Sequence, residues 1–576
     1  MSSAIKRTFG WVQEASVIAS LKDVISIFVP NSKINKLLRT DKIPRLISKE
    51  DGRDEFIKLL EQDTIVIPYN YLKGRGLRKG ETRATAPCSG IVQAVLKGQR
   101  REYQSDWPAD SYLRWAISIG LLNYNRDSDT CSISTLGLRY VNATSTSEEE
   151  KVLTRAFLSN PPVVRVLSLL YKYQHLTKFE IGSQLGFVGE GGFTSIPQRL
   201  VVQALVNMPE EKSKILQDVE GTSDKYARMI CSWLIQLGWV QQIEKKVTEK
   251  FGDYEYTEII PQSYMLTLKG INVLKNAYGI SSTRKLKKIV PWEMLATKST
   301  DRVYLRNRRA LIIQYLTQNY RTLEEIQNFL KRQGYKETIS TIEDDLKGFE
   351  QIGLEIKNSR NKYKIMDNII GLSIPTAENN KQLNKSEIAE IKDMVRERLK
   401  EISHKYLAII DLSFDGKANR DFELQTIQLL TEELNFEGVR LGDKRKPDGI
   451  IYWNKNGIII DNKAYSNGCQ LPMSQADEMI RYIEENKTRD KKQNPNEWWK
   501  HFDSGVVNFN YAFISSKFIG GFKDRLKYIA SRTSVNGGAI NSANLLLLAE
   551  ELKTKRLSYE DGFKLFNNND EVSING

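Results

Sequence analysis

The chain has 576 residues, 40% of them hydrophobic and 27% charged, which suits a folded chain of roughly three to five domains rather than a disordered one. Lysine and arginine outnumber aspartate and glutamate by 85 to 71, a net charge of +14 that calls for a polyanionic partner, and basic residues interleaved with aromatic ones favour nucleic acid. No run of about 18 apolar residues occurs, and the start Met1-Ser-Ser-Ala-Ile-Lys-Arg lacks an apolar leader, so a cytoplasmic protein without a membrane partner is expected.

In chain order, one local pattern recurs: an amphipathic helix ends at glycine and an apolar residue opens a hairpin. The helices close at Gly120, Gly238 and Gly353, each where a C-cap requires a left-handed residue. Candidate hairpin strands follow at Cys131–Ser134, Tyr264–Leu268 and Tyr363–Ile365. Helices followed by a hairpin wing are the grammar of winged helix-turn-helix modules. The second copy carries Lys225, Arg228 and Trp233 on its last helix and reads as a DNA reader. The third carries Glu343, Asp344 and Asp345 there, a poor match to phosphates, and reads as a packing module. The polar stretch Ile374–Leu383 is the expected linker, and an α/β composition follows it.

Four cysteines, Cys88, Cys131, Cys231 and Cys469, lack C-x-x-C spacing and read as buried free thiols. Three distant histidines, His175, His404 and His501, argue against an HNH nuclease, a histidine metal site or a Ser-His-Asp triad. No G-x-x-x-x-G-K-[ST] loop is present, so no ATP is expected. Asn160-Pro161-Pro162 is followed by Val163, not by the aromatic residue that stacks a flipped base, and it reads as a loop. No S-adenosylmethionine is expected.

The chemistry concentrates between Pro447-Asp448 and Asp461-Asn462-Lys463. Two short apolar runs, Gly449–Trp453 and Gly457–Ile460, read as a β-hairpin whose tight turn is Asn456-Gly457. Alternation puts Asp461 and Lys463 on one face and Asn462 on the other, with Asp448 at the mouth of the first strand. Two acids and a lysine then converge, which suits phosphodiester hydrolysis: hard oxygen ligands for Mg²⁺ and a cation near the nucleophile. This is the PD-(D/E)xK spacing. A helix over Asp421–Leu434 places Glu423 on the apolar stripe of Ile427, Leu430 and Leu434, a candidate third carboxylate beside an exposed stripe edge as the bland reading.

Long stretches, among them Arg7–Gln13, Gln174–Phe179, Ser223–Met229, Arg445–Gly449, Lys463–Ser466, Gln475–Met479 and Asn494–Lys500, resemble the FokI-like type IIS restriction endonucleases, collinear over nearly the whole chain. The resemblance implies a multidomain α+β and α/β architecture. Recognition subdomains of winged-helix-like (helix-turn-helix) kind would span residues 1–146 and 147–286, and a third, packing subdomain 287–374. A linker would occupy 375–386 and a PD-(D/E)xK cleavage domain 387–576. It implies a bacterial enzyme of a restriction-modification system that binds an asymmetric GGATG-like site in double-stranded DNA and cuts both strands roughly a helical turn downstream. Asp448, Asp461 and Lys463 match the catalytic residues, and the Asn462 backbone carbonyl joins the aspartates as a metal ligand. Gln13, Arg83, Trp107, Glu220, Lys225 and Arg228 match base-contacting positions, with arginines suited to guanine, Gln13 to adenine and Glu220 to a cytosine amine. Glu14 and Gln217 stand where the family has asparagine.

Asp477 and Arg481, four apart on a helix, suit an intrahelical pair worth about 0.3 to 0.5 kcal/mol. The family uses them across a transient dimer of cleavage domains, one active site per strand, so a second copy is an expected partner. Two other readings remain at this point: a PD-(D/E)xK repair or modification-dependent nuclease, and a winged-helix regulator.

Overall fold

Three times the chain closes a helix on a left-handed glycine and turns back as a hairpin. The helices Asp106–Ser118, Thr222–Gln236 and Ile339–Gln351 end just before Gly120, Gly238 and Gly353, whose φ values are +73°, +70° and +98°. Each wing pairs antiparallel: Leu122–Asn125 with Thr130–Ile133, Val240–Phe251 with Tyr254–Leu266, and Ile356–Ser359 with Lys362–Ile365. Short strands Val66–Pro68 and Leu176–Thr177 complete the first two sheets, and the bridge Arg321 to Tyr363 does so in the third. The computed structural model describes residues 6–207, 212–251, 254–279, 285–298, 301–375, 385–442 and 445–574. Among these, no helix is long and apolar enough to cross a membrane.

The three winged units share one apolar core that runs from Phe9 to Ile365. Trp233, expected to face DNA, belongs to this core: it is fully buried, with ring centroids 5.3 Å from Trp115 and 5.4 Å from Phe157. Five residues beyond Arg228, it lies well round the helix from that residue, toward the first unit. The N-terminal segment straps the units together. Trp11 is buried and its indole N–H donates to the Met294 carbonyl at 3.0 Å, while Arg306 donates to the Arg7 carbonyl at 2.8 Å. All four cysteines are buried and free.

The C-terminal unit is a five-stranded sheet in the order Glu437–Arg440, Gly449–Trp453, Asn456–Lys463, Asn508–Ser515, Gly537–Asn541, the first three antiparallel and the last two joined in parallel. Isoleucines alternate between its faces: Ile451, Ile458 and Ile460 enter one apolar layer, Ile450 and Ile459 the other. The hairpin turn differs from the sequence expectation. Trp453 pairs with Asn456, so the two-residue loop is Asn454-Lys455, with Asn454 at φ +51°. Gly457 lies inside the strand, where a Cβ would stand 2.9 Å from Phe502 and Val506, so its role is close packing rather than a turn. The helix before the sheet is also shorter than expected: α-helix Asn419–Gln428 gives way to a π-helical turn, Leu429–Glu433.

The acidic helix Ile339–Gln351 faces the C-terminal unit, as a packing module should. Asp344 bonds Arg396 and His404, both at 3.0 Å, and Asp345 holds Arg308 and Arg309, both at 2.8 Å. The second unit contributes the Gly189 carbonyl, 2.7 Å from Lys392 Nζ, and the Gly191 N–H, 3.1 Å from Asp411. Leu424 enters a small apolar cluster with Val201, Val202 and Leu205. Residues 376–384 of the expected linker lie outside the described residues. Lys385 and Ser386 are tied down, Lys385 to Glu337 at 3.1 Å and the Ser386 N–H to Asp301 at 3.1 Å, and Ser386 caps the helix Glu387–Arg398.

This interface is mainly polar, and the C-terminal sheet is covered on both faces by its own side chains. A fragment starting at Lys385 is therefore expected to fold alone, giving a cooperative melt by circular dichroism. A fragment lacking cooperative unfolding would show that the N-terminal half completes its core.

Candidate active site and nucleic-acid interface

The hairpin brings Asp448, Asp461 and Lys463 together. Gly449 pairs with Ile460, so Asp448 lies just beyond the last rung, level with Asp461 and Asn462. One Asp448 oxygen accepts from the Asn462 backbone N–H at 2.6 Å. Within a strand the N–H and C=O of one residue point to the same edge, so the Asn462 carbonyl shares the edge at which Asp448 sits. Lys463 Nζ bonds Asp461 Oδ1 at 2.8 Å. The other Asp461 oxygen is buried and receives no hydrogen bond, and it belongs to a carboxylate that interacts directly with Asp448.

Burial shapes the titration of this cluster. Desolvation, then the Glu423 charge, push Asp448 up to about 6. Burial and the Asp448 charge push Asp461 well above the ordinary carboxylate range, against the pull of Lys463. Burial alone would lower Lys463, but Asp461 and Asp448 outweigh it and hold the ammonium charged. Two buried carboxylates in direct interaction, one of them with an unbonded oxygen, require a proton or a cation. Their oxygen-only chemistry fits a hard divalent cation.

Glu423 does not extend the set as expected. Its carboxylate takes Arg440 Nε at 2.9 Å and Nη2 at 2.7 Å, although its charge still reaches Asp448. Among the described residues, no group of three acidic, histidine or cysteine side chains is placed to hold a metal ion. Asn462 Nδ2 donates to Thr426 Oγ1 at 2.9 Å, which ties this strand to the Glu423 helix. Asp477 and Arg481 do not pair with each other: Arg481 turns to Glu478 at 3.3 Å and Glu485 at 3.8 Å, and exposed Asp477 accepts from Tyr528 at 3.5 Å. Glutamates three and four residues away from Arg481 compete with Asp477 for the same guanidinium.

The expected base-contacting residues gather on a second surface. Gln13, Glu14, Glu220, Lys225 and Arg228 line one concavity between the first and second units. Arg83 lies over the Trp107 ring at 5.5 Å, and Glu14, raised by its partial burial, feels Arg83, Arg228 and Trp107. Gln217 falls in the helix Lys212–Asp218. Glu220 is placed differently from the expectation of a free acceptor. Its side chain is 3% exposed, Arg228 Nε bonds its Oε1 at 3.0 Å, and Arg228 Nη2 bonds its Oε2 at 3.3 Å. Lys178 Nζ completes the pair at 2.5 Å from Oε1. Sequence reasoning missed Lys178 and Arg440. The first shows only as one lysine in the mixed stretch Leu176–Ile181, and the second meets Glu423 only through the fold.

Winged recognition units joined to a PD-(D/E)xK sheet define a modular deoxyribonuclease. Models of FokI recognition-domain subdomain 1, subdomain 2, the D3 domain and the cleavage domain match residues 7–143, 149–282, 295–361 and 385–573. The type II restriction enzyme FokI of Planomicrobium okeanokoites is 39% identical over 572 residues, covering 98% of each chain. The type II restriction enzyme StsI of Streptococcus sanguinis is 31% identical over 573 residues, covering 96% of this chain and 94% of its own. The solved structure of FokI bound to DNA superposes with a TM-score of 0.91 at 38% identity over 99% of this chain and 100% of that one. FokI solved as the restriction endonuclease gives 0.89 with the same coverage. The chain belongs to the FokI family of type II restriction enzymes, with recognition domains followed by a cleavage domain.

The buried carboxylates carry a stability consequence. Asp448 has a folded pKa of about 6 against an ordinary 3.8, so its contribution to stability is full below the ordinary value and is lost as pH rises through about 6. Asp448→Asn removes that penalty and should raise metal-free stability at pH 8 by on the order of 2 to 3 kcal/mol, with little change near pH 4. Thermal melts in chelator check this, and a destabilised variant at pH 8 would contradict it.

Proposed function

We propose that this enzyme reads an asymmetric, GGATG-like site in double-stranded DNA with its first two units. It then hydrolyses both strands roughly a helical turn downstream, using Mg²⁺. The observation that carries this reading is the separation of two clusters. The polar concavity lined by Gln13, Glu14, Lys225 and Arg228 belongs to the recognition half, and the Asp448, Asp461 and Lys463 cluster belongs to the other.

In the cleavage unit, Asp448, Asp461 and the Asn462 carbonyl would hold the ion. Bound there, Mg²⁺ would supply charge neutralisation at the scissile phosphate and a more acidic water. Lys463 stays an ammonium, so its part is to orient the attacking water and stabilise charge developing on the phosphate oxygens, not to accept the proton. The backbone N–H of Asn462 fixes one Asp448 oxygen and leaves the other for the ion. In the recognition half, Arg83 and Arg228 present guanidiniums suited to guanine O6 and N7, and Gln13 an amide suited to adenine.

Separate clusters predict separable losses. Asp461→Ala should bind its site within about twofold of wild type in a gel-shift assay and show no cleavage with Mg²⁺. Equal loss of binding and cleavage would contradict the division of labour.

A single Asp448, Asp461 and Lys463 cluster among the described residues also predicts assistance from a second copy. Cutting of a one-site plasmid should rise faster than linearly with enzyme concentration. Asp477→Arg, placing like charge against Arg481 of another copy, should suppress double-strand breaks while leaving site binding intact. A linear rate with a fully active Asp477→Arg enzyme would assign both strands to one molecule.

A further inference from the structure

Lys178 is the first residue of the helix Lys178–Gly182 and is fully buried, an uncommon place for a lysine. Its ammonium reaches two segments at once: the Leu216 carbonyl at 2.8 Å, next to Gln217, and Glu220 Oε1 at 2.5 Å. Glu220 in turn grips Arg228 by one edge, at Nε and Nη2. A guanidinium held along that edge still presents its terminal Nη1 and Nη2 edge, which matches the O6 and N7 pair of guanine. The Arg228 side chain is 33% exposed and lines the concavity.

The charges add up in a useful way. Glu220 with Arg228 alone is a neutral pair, and a buried carboxylate with one cation draws that cation inward. Lys178 shares the carboxylate, so the trio carries a net charge of +1 at the one member that reaches the groove.

We propose that Lys178 is a positioning residue for sequence reading: through Glu220 it holds Arg228 aimed at a guanine, and Glu220 serves as the buttress rather than as a base reader. This rests on the reading of the recognition half as a DNA reader, and it adds a residue and a mechanism to it. Lys178 touches no base. A lysine that merely stabilised the fold would change affinity for every sequence alike, whereas a positioning lysine changes the preference at one base pair.

The test is selection from a randomised DNA pool by the full-length enzyme without Mg²⁺, using wild type, Lys178→Met, Glu220→Gln, Arg228→Ala and the Lys178→Met/Arg228→Ala double variant. Arg228→Ala identifies the base pair that Arg228 reads. Lys178→Met should lower guanine preference at that pair by about tenfold and leave the other pairs selected as in wild type. The double variant should be no less selective than Arg228→Ala alone, since one interaction is lost in both. Glu220→Gln should relax the same pair, and this arm decides the matter if Lys178→Met proves insoluble. A uniform loss across all pairs, unchanged preference at the Arg228 pair, or loss of a separate cytosine in Glu220→Gln would overturn the proposal. A wild-type enzyme that selects no motif would instead overturn the DNA-reading function beneath it.

Discussion

Two carboxylates buried side by side repel each other, and the cleavage unit is organised around that repulsion. Asp448 and Asp461 sit side by side with both carboxyls raised by burial, Asp448 further by the Glu423 charge and Asp461 by the Asp448 charge. Nothing flexible could hold them so. The sheet beneath is locked on both faces by alternating isoleucines, and the Asn462 N–H and Lys463 ammonium fix one oxygen of each aspartate. A proton at low pH relieves this repulsion, and the oxygen-only lining suits a hard cation as the alternative. Such a site trades stability for reactivity.

The recognition half solves an opposite problem, since it must expose positive charge without letting it collapse onto nearby acids. Arg228 and Arg83 lie among Glu14 and Glu220, and two devices keep them outward. Arg83 rests on the Trp107 ring, and Glu220 is shared between Arg228 and Lys178. The aromatic core around Trp11, Trp115 and Trp233 fixes the first two units as one body. Gln13 and Glu14, at the end of the N-terminal strap, therefore keep a set position against the second unit's helix. The third unit uses its charge inward, with Asp344 and Asp345 against arginines, and forms the mount for the cleavage unit.

Much of this was legible in the chain itself. The period of two in Gly449–Trp453 and Gly457–Ile460 gives the strands, and the spacing of Asp461 and Lys463 gives their common face. The three C-cap glycines mark the three wings because no other residue adopts that conformation cheaply. The turn register was not legible: Asn456-Gly457 is a strong turn signal, and it is overridden by Phe502 and Val506 crowding Gly457. Glu423 reads as an acid facing the site, and only the fold brings Arg440 to it from seventeen residues away. Trp233 misleads, and Lys178 gives no signal at all, because neither residue's burial shows in the sequence. Aromatic and basic residues on a DNA-binding helix read as contacts, and burial is a property of the neighbours rather than of the residue. The base-contacting set came from resemblance to a family, since no local pattern singles out Gln13 or Arg83.

The proposed function requires two clusters acting at a distance along one DNA molecule. Digestion of plasmid DNA with the purified enzyme and Mg²⁺, followed by sequencing of the ends, tests this most directly. The account predicts ends at a fixed offset to one side of a constant, non-palindromic motif that itself stays uncut. Ends scattered without a motif, or lying inside a symmetric one, would contradict it.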